Sequence, residues 1–373
     1  MNPQCSWGLL LLCILVAPAG AGGRTLYLGA DLSYVNELED CGGRIQEKGA
    51  VKDPFELFHE HGANMIRVRL WNNATWTPYS NLDDVRKTIR RTRAAGMQSL
   101  LDFHYSDDWA DGGKQIIPVA WANITDTDAL AEALYRFTFD TLAALDHDGL
   151  MPQWVQVGNE TNGEILGQAD WGEHRPINWE RNGKLFKAGI RAVRDAGAKS
   201  SIQPRVMLHI AQPENVLPWF AAATKAGVTD FDLIGISYYA KWSKYSIAGL
   251  GTVIKQLRAR YQADVIVVET AYPWTLESAD SMNNILGEDS LIPGYPATPD
   301  GQKRYLIDLT QSVVDSGGIG TIYWEPAWIS TKCRTRWGQG SSWENAALFS
   351  FRRHDEPLPG IDFLQHSYRQ PGP

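Results

Sequence analysis

The 373 residues are 44% hydrophobic and 21% charged, an ordinary balance for a globular chain with a large core, and the length suits one large α/β barrel or two medium domains. A formal charge of -8 without a basic cluster excludes a nucleic-acid backbone as the expected partner. Tryptophan is abundant at 15 residues: some serve a large core, whereas Trp109, Trp171, Trp274, Trp328, Trp337 and Trp343 fall in Gly/Pro/Asn-rich stretches, where flat rings suit stacking on sugars.

In chain order, the first feature is an apolar run over residues 8–19, too short to span a bilayer. Ala19-Gly20-Ala21 follows with the small-residue spacing of a signal-peptidase site, although no Lys or Arg precedes the run. Residues 1–21 are therefore expected to be a cleaved secretory signal, and the protein is expected to be secreted or periplasmic. No other segment approaches membrane length. Cys5 and Cys13 would leave with the signal, and Cys41 and Cys333 would remain in an oxidising compartment.

Eight strand-like runs follow: Leu26–Asp31, Met65–Leu70, Ser99–His104, Val155–Val157, Val206–Ile210, Leu233–Ser237, Val265–Val268 and Thr321–Trp324. Between most of them lie amphipathic helical segments, such as Leu82 to Ala95, Thr127 to Ala144, Asn182 to Ala196 and Gln302 to Ser316. This alternation predicts an α/β fold, a single (β/α)8 TIM barrel over 24–367 with a frayed tail at 368–373. A doubly wound sheet is the rival, but Asp31-Leu32-Ser33-Tyr34 lacks the Gly-rich turn expected after its first strand. The helix-to-strand connections are short and marked by glycine, as at Gly62, Gly96, Gly197, Gly227 and Gly317. The strand-to-helix connections are long, above all after Asp31, His104, Glu160, Glu269 and Trp324. In barrels those loops build the site.

Two of these strands end in a glutamate. Trp154-Val155-Gln156-Val157-Gly158-Asn159-Glu160 closes the fourth, and Asp264-Val265-Ile266-Val267-Val268-Glu269 closes the seventh. Paired carboxylates on a barrel rim suit glycoside hydrolysis, in which one protonates the leaving oxygen and the other attacks or activates water. One strand-end glutamate alone is more often structural. Opposite positions on an eight-stranded mouth suit the separation of roughly 5 Å found in retaining enzymes.

The residues also carry a family resemblance. Gly29-Ala30-Asp31-Leu32-Ser33, Arg67-Val68-Arg69-Leu70-Trp71, Asp102 through Asp111, Val157-Gly158-Asn159-Glu160, Ile236-Ser237-Tyr238-Tyr239, Glu269 through Trp274 and Ser341-Ser342-Trp343-Glu344-Asn345 resemble glycoside hydrolase family 53 of clan A. The resemblance runs from about Leu28 to Phe349. It implies an arabinogalactan endo-β-1,4-galactanase, with Glu160 as acid/base, Glu269 as nucleophile and Asn159 holding the sugar 2-hydroxyl. Arg67 or Arg69 is expected to keep Glu269 ionised, since alternation sends both to one face, and the resemblance favours Arg67. Tyr238 is expected to donate to the nucleophile. His104 and His209 are expected as polar wall residues, and Asp108, Trp109, Trp274 and Trp324 as further substrate contacts. The departure is Ala240-Lys241-Trp242, where a Pro and an aromatic are expected after the tyrosines.

His104 with Asp102, Asp107, Asp108 and Asp111 matches no compact ligand spacing, so no metal and no cofactor is expected. Thr331–Ser342 contains no Asp or Glu, which leaves a structural calcium near the last loops without a ligand cage. Asn73-Ala74-Thr75 and Asn123-Ile124-Thr125 are glycosylation sequons, meaningful in a eukaryotic secretory host. Cys41 and Cys333 fall in the loops after the first and eighth strands, neighbours once a barrel closes, which predicts a disulfide between them. The expected protein is a monomer acting on β-1,4-galactan, with no membrane partner. Another clan A β-glycanase acting on mannan, xylan or glucan is the nearest alternative, and a barrel that only binds polysaccharide is the alternative of a different class.

Overall fold

The computed structural model describes residues 25–167 and 176–370. The expected signal and Trp171 lie outside them. Eight parallel strands close into a barrel: β1 (Tyr27–Asp31), β2 (Met65–Leu70), β3 (Gln98–Phe103), β4 (Trp154–Val157), β5 (Arg205–Ala211), β6 (Leu233–Ser237), β7 (Asp264–Glu269) and β8 (Gly320–Tyr323). Each strand pairs with its sequence neighbour, and β1 pairs with β8 through Leu28 and Thr321. The fold is the expected (β/α)8 barrel.

A short helix α1 (Val35–Asp40) lies in the first loop, and α2 (Pro54–Glu60), α3 (Leu82–Ala94), α4 (Thr127–His147), α5 (Trp179–Gly197), α6 (Pro213–Lys225), α7 (Ile247–Tyr261) and α8 (Pro299–Asp315) form the outer layer. After β8 the outer helix is reduced to a 3-10 segment, Pro359–Leu364, that packs on α8. The helix starts follow capping chemistry: Asp53, Asn81, Asp126, Asn178, Ser246 and Thr298 each accept a backbone N–H of the first turn. Tyr368 is buried, and its hydroxyl donates to the Phe363 carbonyl at 2.8 Å.

Period-two alternation divides the strands into an outward face packed on helices and an inward face that fills the barrel. The lower interior is apolar, built from Met65, Leu100, Trp154, Met207, Leu233, Ile266, Val268, Ile319 and Ile322. Two residues further along the same strands the inward side chains become polar: Arg67 above Met65, Asp102 above Leu100, Gln156 above Trp154, His209 above Met207. Within the barrel, an apolar plug under a polar floor thus places the buried charge of the described strands at the C-terminal mouth.

Strand β7 breaks the alternation. Val265 and Val267 face the helices and Ile266 and Val268 face the interior, so strict period two would turn Glu269 outward. The pairing with β6 slips instead, from Ile236 opposite Val267 to Ser237 opposite Glu269. This bulge leaves Val268 unpaired and brings Glu269 back to the inner face, a common use of bulges beside active sites.

Candidate active site

Arg67 is the centre of the polar floor. Its Nη1 lies 2.8 Å from Glu269 Oε1 and 2.8 Å from Asp31 Oδ2. Its Nη2 lies 2.7 Å from Asp102 Oδ2 and 2.6 Å from Asn159 Oδ1, and its Nε lies 3.2 Å from Gln156 Oε1. Burial opposes the guanidinium charge, but the carboxylates of Asp102, Glu269 and Asp31 raise its pKa and keep it protonated. Arg69 has a separate partner: it pairs with Glu325 at 2.6 Å and lies between the rings of Tyr34 and Trp109. The ion pair with Glu269 therefore belongs to Arg67.

Glu160 reaches the same floor through a sharp exit from β4. Gly158 has φ +86°, a region L side chains rarely enter, and an added Cβ there would meet Thr161 Cγ2 at 2.5 Å. Glu160 itself holds φ 44°, and backbone conformations of this kind cost about 1–3 kcal/mol and cluster at functional sites. The loop after β3 clamps the turn, with Gln115 Nε2 donating to the carbonyls of Asn159 at 2.8 Å and Glu160 at 3.3 Å. The β5 edge holds the other side, through Thr161 N–H to the His209 carbonyl at 2.9 Å. So fixed, one carboxylate oxygen of Glu160, one of Glu269 and a ring nitrogen of His209 all lie within 4.8 Å of one another.

Burial raises the pKa of both glutamates. Glu160 is pushed up to about 7 by burial and by Asp111, against hydrogen bonds from Ser237 and from the Gly112 N–H at 3.2 Å, and against Arg67. Glu269 is raised by burial and by Glu160, and Arg67 opposes the rise. Two close carboxylates titrate as a pair and share a proton. Glu269 has the direct ion pair with Arg67 and accepts from the Tyr239 hydroxyl at 3.2 Å, so we place the shared proton on Glu160. Burial and the Glu269 charge hold the Tyr239 phenol well above its usual range, which keeps it a donor.

The hydroxyl on Glu269 is thus that of Tyr239 and not, as expected from sequence, that of Tyr238. The Tyr238 hydroxyl donates to the Tyr245 carbonyl at 3.0 Å, because consecutive residues leaving a strand point to opposite sides. His104 is a wall residue: its Nδ1 accepts from the Ala110 N–H at 3.1 Å and its Nε2 faces Asp102 Oδ2 at 3.0 Å. Trp109 and Trp324, both partly exposed, line the mouth with ring centroids 5.8 Å apart. Asp108 lies beside them, paired with Lys114 at 2.9 Å and Arg336 at 3.3 Å.

Trp274 is corrected by the structure. It is only 2% exposed, its indole N–H donates to the Glu344 carbonyl at 3.1 Å, and its ring packs on Phe351. Trp343 and Trp328 are likewise buried, whereas Trp337 and Trp242 are the open rings among the described tryptophans. Loop composition did not distinguish a tryptophan that ties two loops together from one that faces a groove. Asp31, Gln156 and Ser237 were absent from the expected site; each is a polar residue in an otherwise apolar strand, which was the available signal.

Among the described residues, Glu160, His209 and Glu269 are the group whose donor atoms converge as metal ligands would. The chemistry of the donors does not fit an ion. His209 Nδ1 meets the Glu160 N–H at 3.3 Å and Nε2 lies 2.8 Å from Ser237 Oγ, so both ring nitrogens are engaged. Cys41 and Cys333 are joined by a disulfide that ties the first loop to the last, as their topology predicts.

The geometry has counterparts in known proteins. A protein of Cellvibrio japonicus named arabinogalactan endo-beta-1,4-galactanase is 53% identical over 360 residues, covering 96% of each chain. An endo-beta-1,4-galactanase of Bacillus subtilis is 32% identical over 91% of this chain and 85% of its own. Among solved structures, the catalytic domain of a family 53 glycoside hydrolase from Ignisphaera aggregans superposes with a TM-score of 0.84 at 30% identity, covering 95% of this chain and 99% of that one. The sequence profile of glycosyl hydrolase family 53 matches residues 27–364, nearly the whole barrel, and the chain belongs to that family.

Proposed function

We propose that the protein hydrolyses internal β-1,4-galactosidic linkages of type I (arabino)galactan with retention of configuration. The observation that carries the reading is the approach of Glu160 and Glu269 to within 4.8 Å across the mouth. Retaining glycosidases hold their carboxyl groups about 5–5.5 Å apart, and inverting ones about 6.5–9.5 Å apart to admit a water. The galactan substrate is supported by the name of the Cellvibrio relative.

In the first step the Glu269 carboxylate attacks the anomeric carbon while Glu160 gives its proton to the departing glycosidic oxygen. Arg67 and Tyr239 hold Glu269 ionised and aimed, and Asn159, pinned through its Oδ1 by Arg67 and its Nδ2 by the Ala110 carbonyl, faces the sugar 2-hydroxyl. Once Glu269 is esterified its negative charge is gone, so Glu160, now ionised, loses its like-charge neighbour. It then takes a proton from water, whose oxygen attacks the anomeric carbon and releases Glu269. Two carboxylates complete this cycle without a metal ion.

Trp109 and Trp324 give the pyranose rings aromatic faces along an open mouth. Reducing ends released from β-1,4-galactan, β-mannan and xylan by wild type and Glu269→Gln test the reading. Galactan cleavage that falls roughly a thousandfold or more in the variant is expected. Cleavage of mannan alone would overturn the substrate, and no cleavage of any polymer would favour a binding barrel. We also infer export through residues 1–21; a mature N-terminus just beyond Ala21 on secretion is the expected finding.

A further inference from the structure

Ser237 ends β6 on the inner face, fully buried, at the register position where the bulge brings Glu269 inward. Its hydroxyl lies 2.8 Å from His209 Nε2 and also faces the Glu160 carboxyl group, whose ionised form it favours. The polarity of this chain follows from counting donors. Nδ1 faces two donors, the main-chain N–H of Glu160 at 3.3 Å and Gln156 Nε2 at 3.0 Å, and one acceptor, Asn159 Oδ1 at 3.0 Å, which already accepts from Arg67 Nη2 at 2.6 Å; a main-chain N–H always donates, so Nδ1 carries no hydrogen. The neutral ring then carries its hydrogen on Nε2 and donates to Ser237 Oγ. The single hydroxyl hydrogen of Ser237 is left to point at Glu160.

His209 is suited to this part. It is fully buried, and burial together with Arg67 holds its pKa well below the usual imidazole range, so it stays neutral and its tautomer is set by its partners. The residue that receives the hydroxyl hydrogen is thus also the one whose backbone orients the ring. Two hydrogen bonds run from the Glu160 N–H through His209 to Ser237, across β4, β5 and β6, and bring the Ser237 hydroxyl back to face the Glu160 carboxyl group.

We propose that Ser237, oriented by His209, is a positioning residue that holds the Glu160 carboxyl toward the scissile bond and stabilises its ionised form when it must act as base. The proposal rests on the assignment of Glu160 as acid/base. A donor fixed on an ionised carboxylate favours the charged state, and one without freedom to reverse cannot follow the proton back. The other groups facing Glu160 are Asp111 and the Gly112 N–H from the loop after β3, Arg67 from β2, Glu269 from β7 and Tyr239 beyond β6. Of these, Ser237 is joined to the Glu160 N–H through the His209 ring, and the Asp111 carbonyl is joined to the Glu160 carbonyl through Gln115.

The test is the pH dependence of kcat/KM on galactan for wild type, Ser237→Ala and Ser237→Thr. Loss of the hydroxyl removes a contact that favours ionised Glu160, so the alkaline limb in Ser237→Ala should move upward by about 0.5–1 pH unit. On an aryl galactoside, whose leaving group needs no acid, kcat of Ser237→Ala should fall roughly tenfold, because removal of the sugar from Glu269 still needs the base. Ser237→Thr should return both toward wild type. A packing role alone would lower rates equally at every pH, and an unmoved alkaline limb in Ser237→Ala, or failure of threonine to restore it, would overturn the proposal. Glu160→Gln serves as the control: full activity there would overturn the acid/base assignment itself, whereas an inactive Glu160→Gln with an unmoved limb in Ser237→Ala would overturn only the role of Ser237.

Discussion

Arg67 shows how one buried cation organises several anions. It pairs with Asp31, Asp102 and Glu269, so removing it leaves three carboxylates without their shared partner. Arg67→Met is expected to lower stability by about 3–5 kcal/mol and abolish turnover, because uncompensated buried charge is costly; thermal unfolding beside galactan hydrolysis measures both. Glu160 carries the opposite sign. Its folded pKa of about 7 lies above its ordinary value of 4.5, so the native state binds the proton more tightly than the unfolded chain. Its ionisation therefore costs stability as pH rises from about 4.5 through 7, and the cost is complete above that window. Glu160→Gln should raise the Tm by a few degrees at pH 8 and leave it unchanged near pH 4, while galactan hydrolysis is lost. Tyr239→Phe, which removes one donor from Glu269, should lower kcat by roughly ten- to a hundredfold with little change in Tm.

At the scale of elements, tryptophans divide by what their loops do. Trp274 joins the loop after β7 to the loop after β8, through Glu344 and Phe351. Trp274→Ala is expected to destabilise the protein by about 3–5 kcal/mol, as for a fully buried aromatic, and to change KM little at temperatures where the variant is folded. Trp109→Ala should do the reverse, raising KM for galactan several-fold through the loss of a ring face at the mouth, with only a small drop in Tm. Denaturant unfolding and initial rates on both variants separate the two. The barrel and the identity of both glutamates were legible because alternation, glycine caps and loop lengths are local properties. The inward turn of Glu269 was not legible, because it depends on the bulge on β7 opposite β6, and a bulge is a property of the pair of strands; Tyr239, two residues beyond the inward Ser237, follows the alternation of β6 itself.

For the whole molecule, the Cys41–Cys333 disulfide joins positions 292 residues apart and holds the first loop against the last beside the mouth. Such a bond constrains the unfolded chain by about 2–5 kcal/mol, in a manner that depends on the model of the unfolded state. The double variant Cys41→Ser/Cys333→Ser should unfold at correspondingly lower denaturant while retaining the closed barrel by circular dichroism. Its hydrolysis of galactan should fall less than its stability, since neither cysteine touches Glu160 or Glu269. No helix among the described residues is long and apolar enough to cross a membrane.

The sequence by itself determined the alternating architecture, the two strand-end glutamates, the family they belong to and the closeness of Cys41 to Cys333. These follow from periodicity, from residue types at strand ends and from the order of strands in a closed barrel. Only the tertiary structure decided that Glu269 turns inward, that Arg67 rather than Arg69 pairs with it, that the Tyr239 hydroxyl reaches it and that Trp274 is packing. It also decided that His209 and Ser237 meet Glu160. For Glu269 the reason is the register of the neighbouring strand, for Arg67 the carboxylates gathered on the floor, and for Trp274 the packing of one loop on another; each is a property of segments far apart in the chain, and none is written in the residue's own local sequence.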